Sequence, residues 1–189
     1  NHTFQHRELY PYLESTPGIT RPLNYPPGAP GSGIAEVGDL VVVNLIGRVF
    51  MPADYDDPFR AADEALKAIP SNRFILVDLH GEATSEKQAM GWYLDGRVTA
   101  VVGTHTHVPT ADQRVLPGGT AFCSDAGMCG ARDSVIGDDV QAVVHRFVTQ
   151  MPTRLAAAEG PAVLNGLLIE ADGTTRRATS IVRCDRMEE

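Results

Sequence analysis

The 189-residue sequence has no long hydrophobic run. Its longest apolar stretches, such as 40–43 and 74–77, are far shorter than the roughly 20 residues of a membrane-spanning helix. No charged and then apolar leader opens the sequence, so we expect neither a secretory signal nor a membrane partner. Hydrophobic residues make up 43% and charged residues 21%, which is typical of a globular domain.

Positive charge is also scarce. Lysine and arginine number 16 against 24 acidic residues, which gives a formal net charge of −8. Such a surface repels phosphate on average, which argues against broad nucleic-acid binding. A small phosphorylated substrate stays possible, because bound cations can reverse the sign of the potential locally.

Cysteine is rare, with three residues in the whole chain. An odd number without framework spacing favours a reducing compartment, so we expect a cytoplasmic protein. Cys123 and Cys129 are too far apart for a CxxC pair. We expect them to be buried as small hydrophobic side chains.

Two common catalytic devices are missing from the sequence. The segment Gly28–Gly33 contains Pro30 and lacks the Lys-Ser/Thr end of a Walker-type phosphate loop. No serine lies in a nucleophile elbow. Covalent catalysis therefore has no good candidate residue, which leaves water activated by a metal ion.

The hydrophobic pattern predicts strands alternating with helices. A layered α/β fold follows from this alternation, and we expect one domain over residues 1–189. The segment 16–33, rich in proline and glycine, is predicted to be an ordered loop, and 185–189 a frayed tail. We predict strands over 40–50, 73–79, 98–103 and 120–124, helices over 3–13, 59–69, 85–94 and 138–149, and a terminal hairpin of 163–170 with 176–183.

Histidines follow two of the predicted strands. His80 ends one strand, and His105 and His107 follow another. Carboxyl ends of strands in open α/β sheets are where sites assemble, and residues two apart in a strand point to one side. Neutral imidazole binds divalent metals and iron. Together with the dipeptide at 1–2, these residues predict a metal site, although a single histidine after a strand is usually structural.

Other polar residues have more than one interpretation. His2 and His6 have the spacing of a zinc peptidase, but Thr3 stands where its glutamate would be, so a mononuclear zinc protein is a lesser alternative. Glu82 either orients a ligand imidazole or braces a loop. We expect Asp125 to form a turn. Lys87 is expected on a solvated helix face, and His145 is expected to be exposed or structural.

Several motifs resemble a known family. Asn1-His2-Thr3 and Gly103-Thr-His-Thr-His107 are similar to signature blocks of calcineurin-like metallophosphoesterases. Segments 21–31, 80–87, 91–97 and 101–108 resemble its YmdB-type branch, which contains phosphodiesterases of 2′,3′-cyclic nucleotides. The resemblance extends from residue 1 to about residue 183 and implies an α/β/β/α sandwich.

The resemblance also implies roles for individual residues. Asn1, His80 and His105 would hold one metal ion, and His107 would help to hold a second. His2 would be the general acid. The two ions would be divalent or trivalent, with iron, manganese, magnesium and zinc all open, and would supply hydroxide for in-line attack. Glu82 and Thr104 would orient the imidazoles or contact the substrate.

The sequence departs from the family pattern at its start. The family's Gly-Asp and Gly-Glu-Asn motifs, which supply an Asp ligand, a bridging Glu and an Asn, do not precede Asn1. Four neutral ligands would hold two dications poorly. We therefore expect the C-terminal two-thirds of a longer domain, with a weakly binding remnant as the alternative. A non-catalytic protein that binds phosphorylated ligands or RNA ends is the competing function, and a homo-oligomer is possible.

Overall fold

The computed structural model describes residues 3–188, without the side chain of Thr3. Its largest element is a six-stranded sheet with the order β1-β2-β3-β4-β6-β5, in which the four central strands are parallel and the two edge strands are antiparallel. Their near-continuous apolar runs explain why the central strands are buried. The strands are β1 Ile34–Val37, β2 Leu40–Ile46, β3 Phe74–His80, β4 Ala100–Thr104, β5 Arg114–Val115 and β6 Ala121–Cys123.

Two helices cover one face of this sheet. α2 spans Pro58–Ala68 and α3 spans Thr84–Tyr93, and the Asp57 carboxylate caps α2 by accepting from Phe59 and Arg60 N–H. Alternate residues of the strands point to this face, as the period of two requires. The main core comprises Val41, Val43, Leu45, Ala62, Ala65, Ile75, Val77, Leu79, Met90, Leu94, Val98, Val101, Leu116 and Phe122.

The other face of the sheet carries an antiparallel pair, β9 Leu167–Ala171 and β10 Ala178–Arg183. A second core forms between the two sheets from Ala100, Ala121, Cys123, Ala178 and Ile181. A third sheet joins β7 Cys129–Ala131, β8 Ala162–Leu164 and β11 Arg186–Met187. Helices, sheet and hairpin thus form successive layers, which confirms the predicted α/β class and the terminal hairpin.

The first and last segments differ from prediction. Instead of one helix over 3–13, two 3-10 turns at Thr3–Gln5 and Arg7–Leu9 precede a short α1, Tyr10–Ser15. Pro11 explains the late start, because proline is tolerated only in the first turn of a helix. The tail is not frayed through residue 188, since β11 pairs with β8. The remaining helix, α4, spans Val140–Thr149, and no helix within residues 3–188 is long and apolar enough to cross a membrane.

Candidate active site

The carboxyl ends of three parallel strands bring the predicted site residues to one edge of the sheet. Ile46, His80 and Thr104 are the last residues of β2, β3 and β4, and they are in register with one another. His80 is therefore aligned with Thr104, which begins the segment that carries His105 and His107. The structure thus brings these residues to one edge of the sheet, as the strand pattern predicted, and that this edge is a functional site stays a prediction.

A chain of hydrogen bonds fixes the tautomer of His80. Asn44 Nδ2 donates to Asp78 Oδ2 at 2.7 Å, and Thr104 Oγ1 donates to Asp78 Oδ1 at 2.9 Å. The only proton of the Thr104 hydroxyl is used in that bond, so the contact of 3.2 Å between His80 Nδ1 and Thr104 Oγ1 requires an Nδ1–H donor. His80 Nε2 therefore carries a lone pair. Burial raises the pKa of Asp78, while the bonds from Thr104 and Asn44 oppose that rise.

His105 packs edge-on against His80, with the ring centroids 4.7 Å apart. Its Nδ1 lies 3.1 Å from His80 Nε2, and its Nε2 lies 3.1 Å from Glu82 Oε2. Each of these two contacts needs a proton on the His105 ring, but burial lowers the pKa of His105 against the opposing effect of Glu82. A neutral His105 ring carries only one proton, so it can donate in one of the two contacts and not in both. Imidazole nitrogens with lone pairs are common ligands of metal ions.

His107 is held apart from this pair by the backbone of a distant loop. Its Nδ1 donates to the carbonyl of Ile136 at 2.7 Å, which leaves Nε2 free to bind a ligand. His105 has φ 113° and His107 has φ 67°, so the alternation of a strand does not extend to them. Within residues 3–188, no hydrogen bond or ring contact joins His107 to the pair.

A buried ion pair holds this left-handed segment. Asp125 Oδ2 accepts from the N–H and Oγ1 of Thr106 at 2.9 and 2.8 Å and from Lys87 Nζ at 2.8 Å. Asp125 Oδ1 accepts from Gly127 N–H at 2.9 Å. Positive φ costs a non-glycine residue on the order of 1–3 kcal/mol, so the segment needs such support. Burial raises the pKa of Asp125, but the bonds from Lys87, Gly127 and Thr106 outweigh it and hold that pKa below its usual value.

The exposed fraction of Lys87 contradicts the expectation of a solvated position, whereas Asp125 forms the expected turn. Lys87 is 2% exposed. Asp125 accepts from the N–H of Gly127 two residues on, but it is also only 1% exposed and joins two segments across the sheet edge. The buried residues of α3 are Glu86, Lys87, Met90 and Gly91. That helical face includes two charged residues, so the pattern of apolar residues along the helix does not mark it as buried.

Gly103 allows the close approach on which this arrangement depends. A Cβ at this position would overlap the backbone carbonyl of Ser124 and come within 2.8 Å of the Lys87 side chain. We expect Gly103→Ala to destabilise the protein by about 2–4 kcal/mol, because backbone atoms have to move. Urea unfolding would measure the loss. Gly130→Ala is the control, since a Cβ there meets no atom within 4 Å. An equal loss in both variants would contradict the steric explanation.

Two further buried polar side chains fix the loop after β2. Glu86 accepts from the N–H groups of Arg48 at 2.9 Å and Val49 at 3.2 Å. Asn24 donates to the carbonyl of Ile46 at 2.8 Å and accepts from its N–H at 2.9 Å. Glu86 lies in the first turn of α3, but it faces inward and binds backbone. The end of β2 is thus tied to α3 and to the proline-rich loop.

A cavity of about 120 Å³ opens beside His80. Arg21 and Asn44 belong to its lining. Their atoms Arg21 Nε and Asn44 Oδ1 are buried without a hydrogen-bond partner among the described residues. Such atoms are costly to leave unsatisfied. A larger depression of about 570 Å³ lies at the opposite end of β3, where Tyr93 and Arg97 both bind Asp63 at 2.6 Å. The small cavity is therefore the one with unsatisfied groups next to the histidines.

Comparison with known proteins identifies the family. Residues 1–184 match the family described as YmdB-like protein. The chain belongs to this family. A relative from Bacillus subtilis, named 2′,3′-cyclic-nucleotide 2′-phosphodiesterase, is 47% identical over 188 residues, which cover 97% of this chain and 71% of the relative. The family resemblance stated from the motifs is confirmed.

Two solved structures of the same shape extend the comparison. A hypothetical protein from Thermus thermophilus has a TM-score of 0.92 and 45% identity, over 100% of this chain and 75% of that one. A structure titled as a novel phosphatase, from Mycoplasma pneumoniae, has a TM-score of 0.88 and 31% identity, over 99% of this chain and 69% of that one. The names of the Bacillus subtilis and Mycoplasma pneumoniae proteins confirm the expectation of a phosphoester hydrolase.

The other histidines and the cysteines that the sequence analysis considered agree with prediction in some cases and not in others. Asn1 and His2 lie outside the described residues. His6 is exposed, 3.4 Å from Glu8, and precedes a 3-10 turn, so the helical face assumed for a zinc peptidase is not present in the described part. His145 is exposed, as expected. Cys123 is buried, but the prediction for Cys129 is wrong because it lies exposed in β7, a short strand of the small third sheet.

The described residues supply only part of a metal site. Within residues 3–188, no three His, Cys, Asp or Glu side chains are grouped so that they could hold a metal ion. His80 and His107 nevertheless have the Nδ1–H tautomer that puts the lone pair on Nε2, and Thr104 and Ile136 fix that state. The imidazoles fit a cation in their chemistry, whereas these residues alone do not complete its coordination shell.

Proposed function

We propose that this chain is part of a cytoplasmic, metal-dependent phosphodiesterase that hydrolyses 2′,3′-cyclic nucleotides or related small phosphoesters at a dinuclear metal centre. The observation that carries the proposal is the His80–His105 pair, whose ring nitrogens face each other at 3.1 Å at the sheet edge. The name of the Bacillus subtilis relative supports the substrate.

In this proposal, Asn1, His80 and His105 bind one ion, and His107 binds the other. Glu82 and Thr104 orient the imidazoles, in agreement with their contacts to His105 and His80. When bound, the ions would supply the positive charge and the activated water that phosphodiester hydrolysis needs. Imidazole ligands suit iron and zinc, and amide oxygen suits manganese and magnesium, so all four ions stay open.

We assign the proton transfer to His2. As a water molecule that has lost one proton to bulk solvent bonds to phosphorus through its oxygen, the bond between phosphorus and O2′ breaks. The imidazolium of His2 gives its proton to the departing O2′ and is protonated again from solvent. General acids of this kind contribute about 10²–10⁴-fold to the rate. His2 thereby acts on the leaving group and not on the metal.

The cavity beside His80 is proposed to receive a polar part of the substrate. Arg21 Nε can donate to a phosphate oxygen, and Asn44 Oδ1 can accept from a ribose hydroxyl. Both atoms would gain the hydrogen bond that they lack among the described residues. The positive guanidinium of Arg21 would also offset the repulsion that a net charge of −8 exerts on a bound phosphate.

The test is hydrolysis of 2′,3′-cyclic AMP by the full-length protein with Mn²⁺. We expect multiple turnovers that stop when EDTA removes the metal, with 3′,5′-cyclic AMP and bis(p-nitrophenyl) phosphate as comparison substrates. If the metal-loaded protein hydrolyses none of these diesters, the proposal is wrong. Retained binding of 2′,3′-cyclic AMP in that case would favour the non-catalytic binding protein.

A further inference from the structure

Four arginines line one groove at the end of the sheet opposite to the histidines. The groove has a volume of about 160 Å³, and its charged lining residues are Arg73, Arg97, Arg176 and Arg177. Among the described residues, no Asp or Glu belongs to this lining. Four of the chain's 16 lysine and arginine residues therefore border one cavity, although the net charge of the chain is −8. We call this cavity the arginine groove.

The arginine groove is separate from the candidate active site. Arg73 directly precedes β3, which ends at His80, and Thr99, another lining residue, directly precedes β4. A strand that runs from Phe74 to His80 is about 20 Å long at a rise of about 3.3 Å per residue. A ligand in the groove would therefore lie at the other end of the strands from the histidine pair.

The guanidinium groups of the groove have N–H donors to spare. Within residues 3–188, the side chains of Arg176 and Arg177 make no hydrogen bond and no ion pair. In the same part of the chain, Arg97 donates only through Nη2, to Asp63 at 2.6 Å, and Arg73 donates through Nε and Nη2 but not through Nη1. The groove thus offers several positively charged donors to an anion.

Arg176 has a backbone conformation that favours glycine. Its φ is 62°, in the turn between β9 and β10. Thr99, which is 8% exposed, holds this conformation, because its Oγ1 donates to the carbonyl of Arg176 at 2.8 Å and accepts from Ile75 N–H at 3.1 Å. A turn that has a strained arginine in place of glycine indicates a use for the guanidinium group.

Neighbouring residues give both unpaired arginines a defined place. The guanidinium carbon of Arg176 lies over the ring of Phe74, 4.3 Å from its centre, and this contact leaves the N–H groups in the guanidinium plane available. A Cβ at Gly119 would come within 2.8 Å of Arg177 Cδ, so glycine leaves the room that the Arg177 side chain occupies. Side chains that are already held in position lose less entropy when a ligand binds.

We propose that the arginine groove binds the phosphate group of a small ligand. Arg176 and Arg177 donate to the phosphate oxygens, and Arg73 and Arg97 add positive charge. Planar guanidinium groups match phosphate oxygens in bidentate contacts, which are among the stronger hydrogen bonds of proteins. The volume suffices for a phosphate group, since about 15 Å³ of such space holds one water molecule. A long nucleic acid would instead meet the negative charge of the remaining surface.

Chemical modification of arginines in the metal-loaded, full-length protein tests the proposal and locates the site. Phenylglyoxal labels accessible guanidinium groups, and mass spectrometry of peptides gives the rate at each arginine. Inorganic phosphate and 3′-AMP should slow the labelling of Arg176 and Arg177 but not that of the exposed Arg154, and adenosine should protect none of them. Equal protection by potassium chloride at the same ionic strength would overturn the proposal, since simple screening would explain it. Protection of Arg21 without Arg176 and Arg177 would overturn it too.

The variant Arg176→Gly separates ligand binding from folding. Glycine adopts a φ of 62° without strain, so the melting temperature should stay close to that of the wild type. The phosphate concentration that half-protects Arg177 should nevertheless rise at least about 10-fold, because a charged hydrogen-bond donor is lost. Arg176→Lys should keep part of the affinity, since it retains the charge but not the planar fork.

Arg154→Ala is the control variant and should leave the half-protecting concentration unchanged. The same concentration in Arg176→Gly as in the wild type would contradict the proposal. Protection of Arg176 and Arg177 by a poly-glutamate peptide but not by phosphate would also contradict it, because the groove would then take an acidic protein segment.

Discussion

Lys87→Met is expected to destabilise the protein by about 3–5 kcal/mol, because it leaves the buried carboxylate of Asp125 without its cation. The Nζ–Oδ2 distance is 2.8 Å, and both side chains are almost fully buried. Asp125 also carries the two bonds to Thr106, so the loss extends to the segment of His105 and His107. Urea unfolding monitored by circular dichroism would measure the change in the free energy of unfolding.

A double-mutant cycle separates the energy of the ion pair from the packing energy of the aliphatic part of the Lys87 side chain. Lys87→Met/Asp125→Asn should recover part of the loss, since neither residue is then charged in the interior. Lys67→Met is the control, because Lys67 forms a 2.7 Å pair with Glu64 on an exposed helix surface, where such pairs contribute well under about 1 kcal/mol. If both single lysine substitutions cost the same, the buried pair is not what holds the segment.

Lowering the pH should remove the contribution of Asp125 to the free energy of unfolding. Its pKa in the folded protein lies below the usual value, so the unfolded chain binds the proton more readily. The stabilisation is therefore complete above the unfolded value of about 3.9 and is lost as the pH falls through the folded pKa. The stability difference between the wild type and Asp125→Asn should accordingly shrink below about pH 4.

The central elements of the fold were predictable because their apolar runs are long and periodic. The strand predicted over 73–79 is Phe74–His80, and the helix predicted over 59–69 is Pro58–Ala68. Pro58 and Pro70 bound the helix, and apart from Asp78 and the terminal His80 every residue of the strand is apolar. The position of His80 followed directly, since it comes after the last apolar residue of its strand.

The buried charges were not predictable from local pattern. Lys87 and Glu86 are residue types that are common on solvated helix surfaces. The partner of Lys87, Asp125, is 38 positions away in the sequence. The partners of Glu86 are the N–H groups of Arg48 and Val49, which are 38 and 37 positions away. A pattern within one helix cannot reveal which polar face meets a distant strand end. Gly103 was a partial indication of close packing, because a glycine at this position leaves the space into which the backbone of Ser124 approaches.

The position of the histidine segment directly after β4 was predicted correctly, but its backbone geometry was not. The spacing of His105 and His107 suggested side chains on one side of a strand, whereas β4 ends at Thr104 and both residues have positive φ. Their tautomers depend on Glu82 and Ile136, which belong to other segments. Spacing therefore predicts that such residues share a site, while tertiary contacts decide which nitrogen faces a ligand.

The proposed division of roles predicts two losses of activity with different effects on metal content. His80→Ala should lower kcat/KM for 2′,3′-cyclic AMP by at least about 10³-fold and reduce bound manganese, because it removes a proposed ligand. His2→Ala should lower kcat by about 10²–10⁴-fold and leave the metal content unchanged, because it removes only the proton donor. Steady-state kinetics and elemental analysis of the same full-length preparations would measure both.

The metal content decides the role of His2, provided that both variants melt near the wild-type temperature. His145→Ala is the matched control, since His145 lies exposed on α4 and should change neither quantity. Loss of metal in His2→Ala would make His2 a ligand and leave the reaction without the proposed acid. Full activity in His80→Ala would remove the His80–His105 pair from the mechanism, and the lone pairs between these rings would then need another explanation.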